Sequence, residues 1–212
     1  MTCVIFVRNG KISYLCNGQP VDDMEMVDKL SDKYKIILSE EAAENLAAIF
    51  QRKEYRKNEP ILEQGQISRH IYIVEQGMIR QFYYKDGRNI TEHFSCDGEV
   101  ASCLESLFLQ EPTRLCVEAI EPSVVYLLDY AKLKELSNRY ADINALLQTI
   151  LEYKLVVSQR KADSWRFETS HERYERFCRE YPLAAKRASI AHIASYLLMA
   201  PETLSRVRAG IL

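Results

Sequence analysis

The feature that most limits the fold is a series of short apolar runs between Tyr55 and Leu128, separated by turn signals. Asp86-Gly87 is a typical hairpin turn, and Gly65 and Gly77 are turn signals that precede it in the sequence. The predicted strands are 70–74, 79–84, 90–94, 115–120 and 124–128. Strands this short at such regular spacing predict a compact β-roll or barrel.

Composition excludes several classes of protein. With 212 residues, of which 47% are hydrophobic and 27% charged, the chain can form a core and is neither disordered nor of low complexity. No apolar run approaches the ~18 residues that a membrane span requires. The six cysteines are irregularly spaced and no signal peptide is evident, which favours reduced thiols and a cytoplasmic protein.

The predicted roll is flanked by an N-terminal extension over residues 1–35 and by a long helix. Asn9-Gly10 predicts a hairpin in the extension. Neither Gly nor Pro occurs from Ala131 to Trp165, which predicts one helix over 131–165. Its apolar stripe, with the spacing of a coiled coil, consists of Leu146, Ile150, Tyr153 and Val157. The stripe favours a homodimer interface, although a helix that packs on its own roll has the same pattern.

The C-terminal residues predict two short helices joined by a tight turn. Ser189 is placed to cap the first helix, and Pro201 stands at the first position of the second, where its missing N–H does no harm. Leu204, Val207 and Ile211 form the buried side of the second helix. Its polar residues, which are predicted with Ser189 to bind DNA, are Glu202, Thr203, Ser205, Arg206 and Arg208. This is the plan of a helix-turn-helix, in which Arg can bind guanine and Glu can accept from cytosine, although a generic helical hairpin looks similar.

Charge is distributed unevenly along the chain. Residues 1–153 hold 17 Lys and Arg against 24 Asp and Glu, or −7, whereas residues 154–212 hold 11 against 6, or +5. A basic C-terminal part favours contact with a phosphate backbone, because neutralising phosphates releases counterions. A chance imbalance on solvated faces is the alternative.

The C-terminal string from Ile193 to Arg208 resembles the Crp–Fnr superfamily of bacterial transcription regulators, in the form common in Bacteroidota. Glu202-x-x-Ser205-Arg206 is similar to the recognition-helix signature of the Fnr branch. The segment Gly65–Arg80 looks like the front of a cyclic-nucleotide-binding roll. The resemblance extends over about residues 36–212.

This resemblance implies an α+β fold in three parts after the extension. They are a cyclic-nucleotide-binding-like jelly roll over 36–130, a dimerisation helix over 131–165 and a helical winged-helix or helix-turn-helix domain over 166–212. The implied function is that of a sequence-specific DNA-binding transcription regulator, not an enzyme. It would act as a homodimer on a near-palindromic operator, with RNA polymerase as a further partner and without a cofactor.

The resemblance also places an effector pocket. The residues expected to line it are Glu99, Val100, Thr113 and Arg114. Glu99 matches a Glu of the family's phosphate cassette, but Thr113-Arg114 stands one residue out of register with the family's Arg-Ser. A cyclic phosphate without an aligned guanidinium loses its bidentate partner, so we do not expect cyclic AMP to be the effector, whose identity stays open.

The helix-turn-helix departs from the family pattern at two positions. Leu198 stands where Gly is usual, and Ala200 where Ser or Thr is usual. The recognition helix is therefore predicted to lack a side-chain N-cap.

Three alternatives to a regulator fit the sequence less well. An iron–sulfur sensor needs closely grouped thiolates, and the sequence contains no Cys-x-x-Cys. A metal-dependent cupin enzyme is suggested by His70-x-Tyr72-x-x-Glu75, which is weakly similar to a cupin metal-binding motif, with His93 as a further ligand. However, Tyr72 stands where that motif needs a second His. A regulatory nucleotide-binding module that does not touch DNA leaves the terminal helices unexplained. We therefore predict neither a metal nor a cofactor.

Overall fold

The computed structural model describes the backbone of residues 4–8, 11–15 and 21–210 and the side chains of residues 23–210. The strands are β1 (Val4–Arg8), β2 (Lys11–Leu15), β3 (Phe50–Tyr55), β4 (Pro60–Leu62), β5 (His70–Gln76), β6 (Met78–Lys85), β7 (Arg88–Cys96), β8 (Val100–Ala101), β9 (Cys116–Ala119) and β10 (Ser123–Asp129). The helices are α1 (Val21–Tyr34), α2 (Glu40–Ala47), α3 (Leu104–Leu109), α4 (Tyr130–Arg139), α5 (Ala141–Phe167), α6 (Ser170–Glu180), α7 (Pro182–Arg187), α8 (Ile190–Tyr196) and α9 (Pro201–Arg208).

Two four-stranded antiparallel sheets form the predicted β-roll, which is confirmed. Their strand orders are β3-β10-β5-β8 and β4-β9-β6-β7. The side chains packed between them are Leu62, Tyr72, Val74, Ile79, Ala101, Cys103, Val117, Ala119, Val125 and Leu127. At the tight connection from β5 to β6, Gly77 has a φ of 100°, and a Cβ there would lie 2.6 Å from the Pro122 carbonyl oxygen. A residue with a side chain would therefore collide with the backbone at the start of β10.

Helices cover the outer faces of both sheets. The apolar sides of α1, α2, α4 and α5 pack on the first sheet, against Ile71, Ile73, Val100 and Leu128. The C-terminal helices pack on the second sheet, against Met78, Phe94 and Cys96. The chain therefore forms four layers, with the roll in the middle.

At the N-terminus, β1 and β2 pair in antiparallel fashion, with Val4 opposite Leu15 and Arg8 opposite Lys11. The predicted turn at Asn9-Gly10 lies outside the described residues, as does Ile211. The acidic stretch before Tyr34 forms α1, a helix that the sequence analysis does not predict.

The prediction of one helix over 131–165 is wrong, because the helix is broken at Tyr140. This residue is extended, with a φ of −120°, and separates α4 from α5. The Tyr140 hydroxyl donates to Glu41 Oε1 at 2.6 Å, and Asp142 Oδ2 accepts from the Ser39 N–H at 2.7 Å. Contacts with the start of α2 therefore impose the break, and no Gly or Pro marks it in the sequence.

The four residues of the predicted dimer stripe do not share one environment. Leu146 and Ile150 are only 3% and 7% exposed and pack in the protomer's own core. Tyr153 is 52% exposed and meets the Tyr34 ring edge-on, and Val157 is half-buried. The first half of the stripe thus follows the alternative of packing on the chain's own roll, and these two side chains are unavailable to a second protomer. The dimer itself stays a prediction.

Residues 168–210 contain helices and turns but, within this described stretch, no strand. Among the helices that the structure describes, none has the length and apolarity needed to cross a membrane.

Two histidines beside the contact between the roll and the C-terminal helices are held neutral. Burial lowers the pKa of His93 well below its ordinary value, and the charges of Lys161 and Lys154 lower it further. Burial also lowers the pKa of His192 to about 4, and the charge of Arg80 acts in the same direction. Because an unfolded histidine binds its proton near about pH 6.5, the unfolded chain binds more protons below that pH, and stability falls.

We therefore expect the melting temperature to decrease as the pH is lowered from about 6.5 towards 4, and to decrease less in His192→Gln. His171→Gln is the matched control, because His171 lies on the exposed side of α6 and is half exposed. Thermal unfolding followed by circular dichroism across this range checks the prediction. Equal slopes for His192→Gln and the wild type would contradict it.

Candidate nucleic-acid interface

The two helices predicted at the C-terminus are α8 and α9. The Ser189 hydroxyl accepts from the His192 N–H at 3.2 Å and caps α8. As the sequence predicts, α9 begins at Pro201 after Ala200, which makes no side-chain cap. Leu204 and Val207 are buried beneath α9.

The turn between the helices closes through two backbone hydrogen bonds. The Met199 N–H donates to the Ala194 carbonyl at 3.0 Å, and the Leu198 N–H donates to the Ser195 carbonyl at 3.2 Å. This is the Schellman arrangement that commonly ends a helix, with its left-handed position occupied by Leu198 at a φ of 52°. The turn usual for a helix-turn-helix thus forms without the glycine that favours it.

The outward side of α9 carries the residues predicted to bind DNA. Glu202, Ser205, Arg206 and Arg208 are exposed, and Thr203 is half-buried. The Ser205 hydroxyl donates to the Pro201 carbonyl at 3.0 Å and is turned back onto the helix. Within the described residues, Glu202 and Arg206 form no ion pair with each other. The Glu202 carboxylate and the Arg206 guanidinium are therefore both available to a partner.

Part of the basic charge of the C-terminal region is used inside the protein. Arg176 pairs with Glu168 at 2.9 Å and with Glu180 at 2.8 Å. Arg187 pairs with Asp97 at 2.8 Å and also binds Glu121. The uneven charge of the sequence is therefore partly structural, and Arg206 and Arg208 are the cations that α9 presents outward.

The four residues of the predicted effector pocket differ in burial and in the hydrogen bonds that they make. Glu99 Oε2 accepts from the Cys96 N–H at 2.8 Å, within the turn before β8. Val100 is buried in the core beneath α1, and Thr113 is buried with its Oγ1 accepting from the Leu115 N–H at 2.9 Å. Arg114 is exposed, and in the described part of the chain neither a hydrogen bond nor an ion pair joins it to Glu99.

Lysines that the sequence analysis missed lie beside Glu99. Lys33 of α1 donates to the Gly98 carbonyl at 2.8 Å. Burial lowers the pKa of Lys154 on α5 to about 8, and the negative charge of Glu99 opposes that shift. The positive charge at this turn therefore comes from α1 and α5 and from Arg187 of α7, which pairs with Asp97, and no contact joins Arg114 to Glu99. No local signal predicts this, because α1 lies outside the segment that resembles the family.

Two of the alternatives, the iron–sulfur sensor and the cupin enzyme, require groups of metal-ligating side chains. Among the described residues, no group of three His, Cys, Asp or Glu side chains converges as metal ligands. Burial raises the pKa of the Cys103 thiol to about 11 and that of Cys96 to about 12, which keeps both thiols protonated. Cys3 and Cys16 lie outside the described residues.

Residues 52–140 match the protein family described as the cyclic nucleotide-binding domain. Among curated protein sequences, none matches the chain. The family match covers the roll and α4 but neither α5 nor the C-terminal helices.

Several solved structures share the fold. FixK2 from Bradyrhizobium japonicum is 23% identical, with a TM-score of 0.66, and the alignment covers 77% of this chain and 84% of FixK2. The c-di-GMP responsive global regulator CLP of Xanthomonas campestris is 17% identical, with a TM-score of 0.64 and coverage of 82% and 91%. The catabolite activator protein of Thermus thermophilus is 23% identical, with a TM-score of 0.53 and coverage of 86% of each chain.

These matches agree with the resemblance drawn from the sequence, while the Bacteroidota subtype stays a resemblance. Residues 52–140 match the cyclic nucleotide-binding domain, and the described chain shares its fold with FixK2, CLP and the catabolite activator protein.

Proposed function

We propose that this chain is a transcription regulator that binds DNA in a sequence-specific manner as a homodimer. The observation that carries the proposal is the polar face of α9, exposed while Leu204 and Val207 hold the helix from beneath. An exposed second helix with Glu and Arg near its N-terminal half is what a helix-turn-helix places in the major groove. In this role the chain is not an enzyme and acts in the cytoplasm, with RNA polymerase as a further partner.

Base reading falls to the residues that share one side of α9. Glu202 and Arg206 are four residues apart and therefore lie on one helix face. Arg206 is suited to a bidentate contact with guanine, and Glu202 to accepting a hydrogen bond from cytosine. Ser189 at the start of α8 and Arg208 at the end of α9 are better placed for phosphates, which fix the register without reading sequence.

The dimer is proposed to form along a side of α5 that faces away from the roll. Leu155 is 68% exposed and Val156 is 44% exposed, opposite the buried residues Leu147 and Ile150. Two protomers that pair here would be related by a two-fold axis. Such a dimer presents its two α9 helices to half-sites about 34 Å apart, which calls for a near-palindromic operator.

The effector, if one acts, is not proposed to be cyclic AMP. Glu99 is bonded within its own turn and the exposed Arg114 makes no contact with it. The side chains packed between the sheets are apolar and offer no partner for a phosphate. The chemistry of another effector is left open.

For DNA reading, we expect Arg206→Ala to cost about 1–3 kcal/mol on the cognate site and to relax preference at one base pair. Arg208→Ala should weaken cognate and random duplexes alike and reduce the slope of affinity against salt, because a phosphate contact carries no sequence information. The cognate site is first selected from random duplexes with the wild-type protein. Fluorescence anisotropy at two salt concentrations then measures both variants.

The two variants serve as controls for each other. Equal losses on cognate and scrambled duplexes for Arg206→Ala would show that this residue does not read a base. If the wild type selects no duplex, the remaining candidate is a regulatory module with this fold that does not touch DNA.

For assembly, we expect Leu155→Asp to yield a folded monomer, because an exposed side chain of the proposed seam is replaced by a charge. Ile150→Asp places a carboxylate in the protomer's own core, and we expect loss of the cooperative thermal transition instead. Light scattering and thermal unfolding of both variants check this pair of outcomes. The opposite result is a folded monomer from Ile150→Asp and an intact dimer from Leu155→Asp. It would show that the dimer interface is the apolar stripe predicted from the sequence.

A further inference from the structure

The outer face of the second sheet and the C-terminal helices share one core. Phe94 of β7 lies 5.8 Å from the ring of Phe177 and 5.7 Å from that of Tyr196. Met78, Cys96 and Ile120 of the roll join the same buried cluster, to which α8 and α9 contribute Ile193, Leu197 and Leu204. Apolar burial of this kind is non-directional, so by itself it does not fix the angle between the two parts.

Polar contacts near the middle of β7 fix the direction in which the two parts meet. Lys161 of α5 is only 3% exposed, and its ammonium donates to the Glu92 carbonyl and lies 3.0 Å from Glu92 Oε1. It also stands over two rings, 4.7 Å from the Trp165 centroid and 4.9 Å from that of Tyr196. Next to it, the Thr91 N–H donates to Ser195 Oγ at 3.1 Å, and the Ser195 hydroxyl donates to Thr91 Oγ1 at 2.8 Å.

A second polar attachment lies just beyond the C-terminal end of the strand. Arg187, the last residue of α7, donates to Asp97 Oδ2 at 2.8 Å and to the Gly77 carbonyl at 2.8 Å. From Thr91 to Asp97 an extended strand rises about 20 Å. Two attachments this far apart resist rotation of the helices about β7, which a single contact would permit.

The same helix carries this attachment and the proposed dimer seam. Lys161 follows Leu155 and Val156 on α5 by about one and a half turns, or roughly 8 Å. Ser195 lies on α8, which shares buried residues with α9. A continuous path of packed and hydrogen-bonded groups therefore runs from the seam through Lys161 and β7 to α8 and α9.

We propose that Lys161, Thr91 and Ser195 are positioning residues that set the orientation of α9 relative to the dimer axis, and so the half-site separation that the protein accepts. This inference rests on the proposed function and adds a determinant of specificity that touches no base. A buried ion pair is a weak source of stability, because desolvating the charges offsets their attraction. The ion pair of Lys161 and Glu92 does, however, fix a direction between the two parts, which the apolar cluster does not.

The test compares palindromic duplexes whose half-sites, selected with the wild type, are separated by different numbers of base pairs. Lys161→Met keeps the apolar stem and removes the ammonium. We expect the ratio of affinities between the best and the next spacing to fall about tenfold, since losing a charge-pair coupling of typical size changes an affinity by that order. Binding to a duplex with one half-site should change by less than about twofold, because α9 itself is unaltered.

A second variant guards against misfolding of the first. The double variant Thr91→Val, Ser195→Ala removes the hydroxyl pair with little change of volume, and we expect it to flatten the spacing preference in the same way. Arg52→Gln is the matched control, because it breaks an ion pair with Glu75, at 2.8 Å, on the other sheet. It should keep the wild-type preference.

The outcomes separate this proposal from the proposed function. One outcome is a sharp spacing optimum in the wild type that Lys161→Met and the double variant both retain. This result would overturn the positioning role alone. Equal losses on every spacing and on the single half-site would do the same, since they indicate a merely structural role. A wild type that binds none of the duplexes would overturn the DNA-binding function, and the positioning role with it.

Discussion

The aromatic cluster on β7 is the interaction on which the rest of the structure depends. The rings of Phe177 and Tyr196 lie 5.2 Å apart, and Phe94 of the roll completes the group. Tilted ring pairs at such distances stabilise by about 0.5–1.5 kcal/mol beyond the burial of their area. The helices of residues 168–210 form a unit below the roughly 55 residues at which small domains commonly fold alone. The roll therefore supplies part of the core that holds α8 and α9 in shape.

This dependence gives the middle of the molecule two different tasks. On one face of the roll, Ile71 and Ile73 pack against the apolar sides of α1, α2 and α5. On the other face, Met78 and Phe94 pack against the apolar sides of the C-terminal helices. Because α5 runs from the first environment into contact with the second, a change in how it packs on the roll reaches Lys161 and β7. The fold thus links the N-terminal half to α9 through packed side chains, without any requirement for an empty pocket between the sheets.

How far the sequence predicts this fold depends on whether the signal is local. Strands β5, β6 and β10 follow from their apolar patterns and flanking turns, and α8 and α9 from Ser189 and Pro201. Strand β3 was missed because Gln51–Glu54 are all exposed and carry no alternation. The break at Tyr140 was missed because distant residues of α2 impose it. The stripe at Leu146 and Ile150 has a clear period, but a period does not say which surface covers it.

The candidate site divides in the same way. The outward residues of α9 follow from helical spacing alone, whereas the orientation of α9 does not. Its turn places Leu198 in the left-handed region, at a cost of about 1–2 kcal/mol, and a missing side-chain N-cap at Ala200 costs roughly 0.5–2 kcal/mol more. Both penalties must be offset by tertiary packing, and the side chains that supply it, Leu197 and Leu204, belong to the cluster shared with Phe94. The helix that would read DNA is therefore held in place by the β-roll as much as by its own turn.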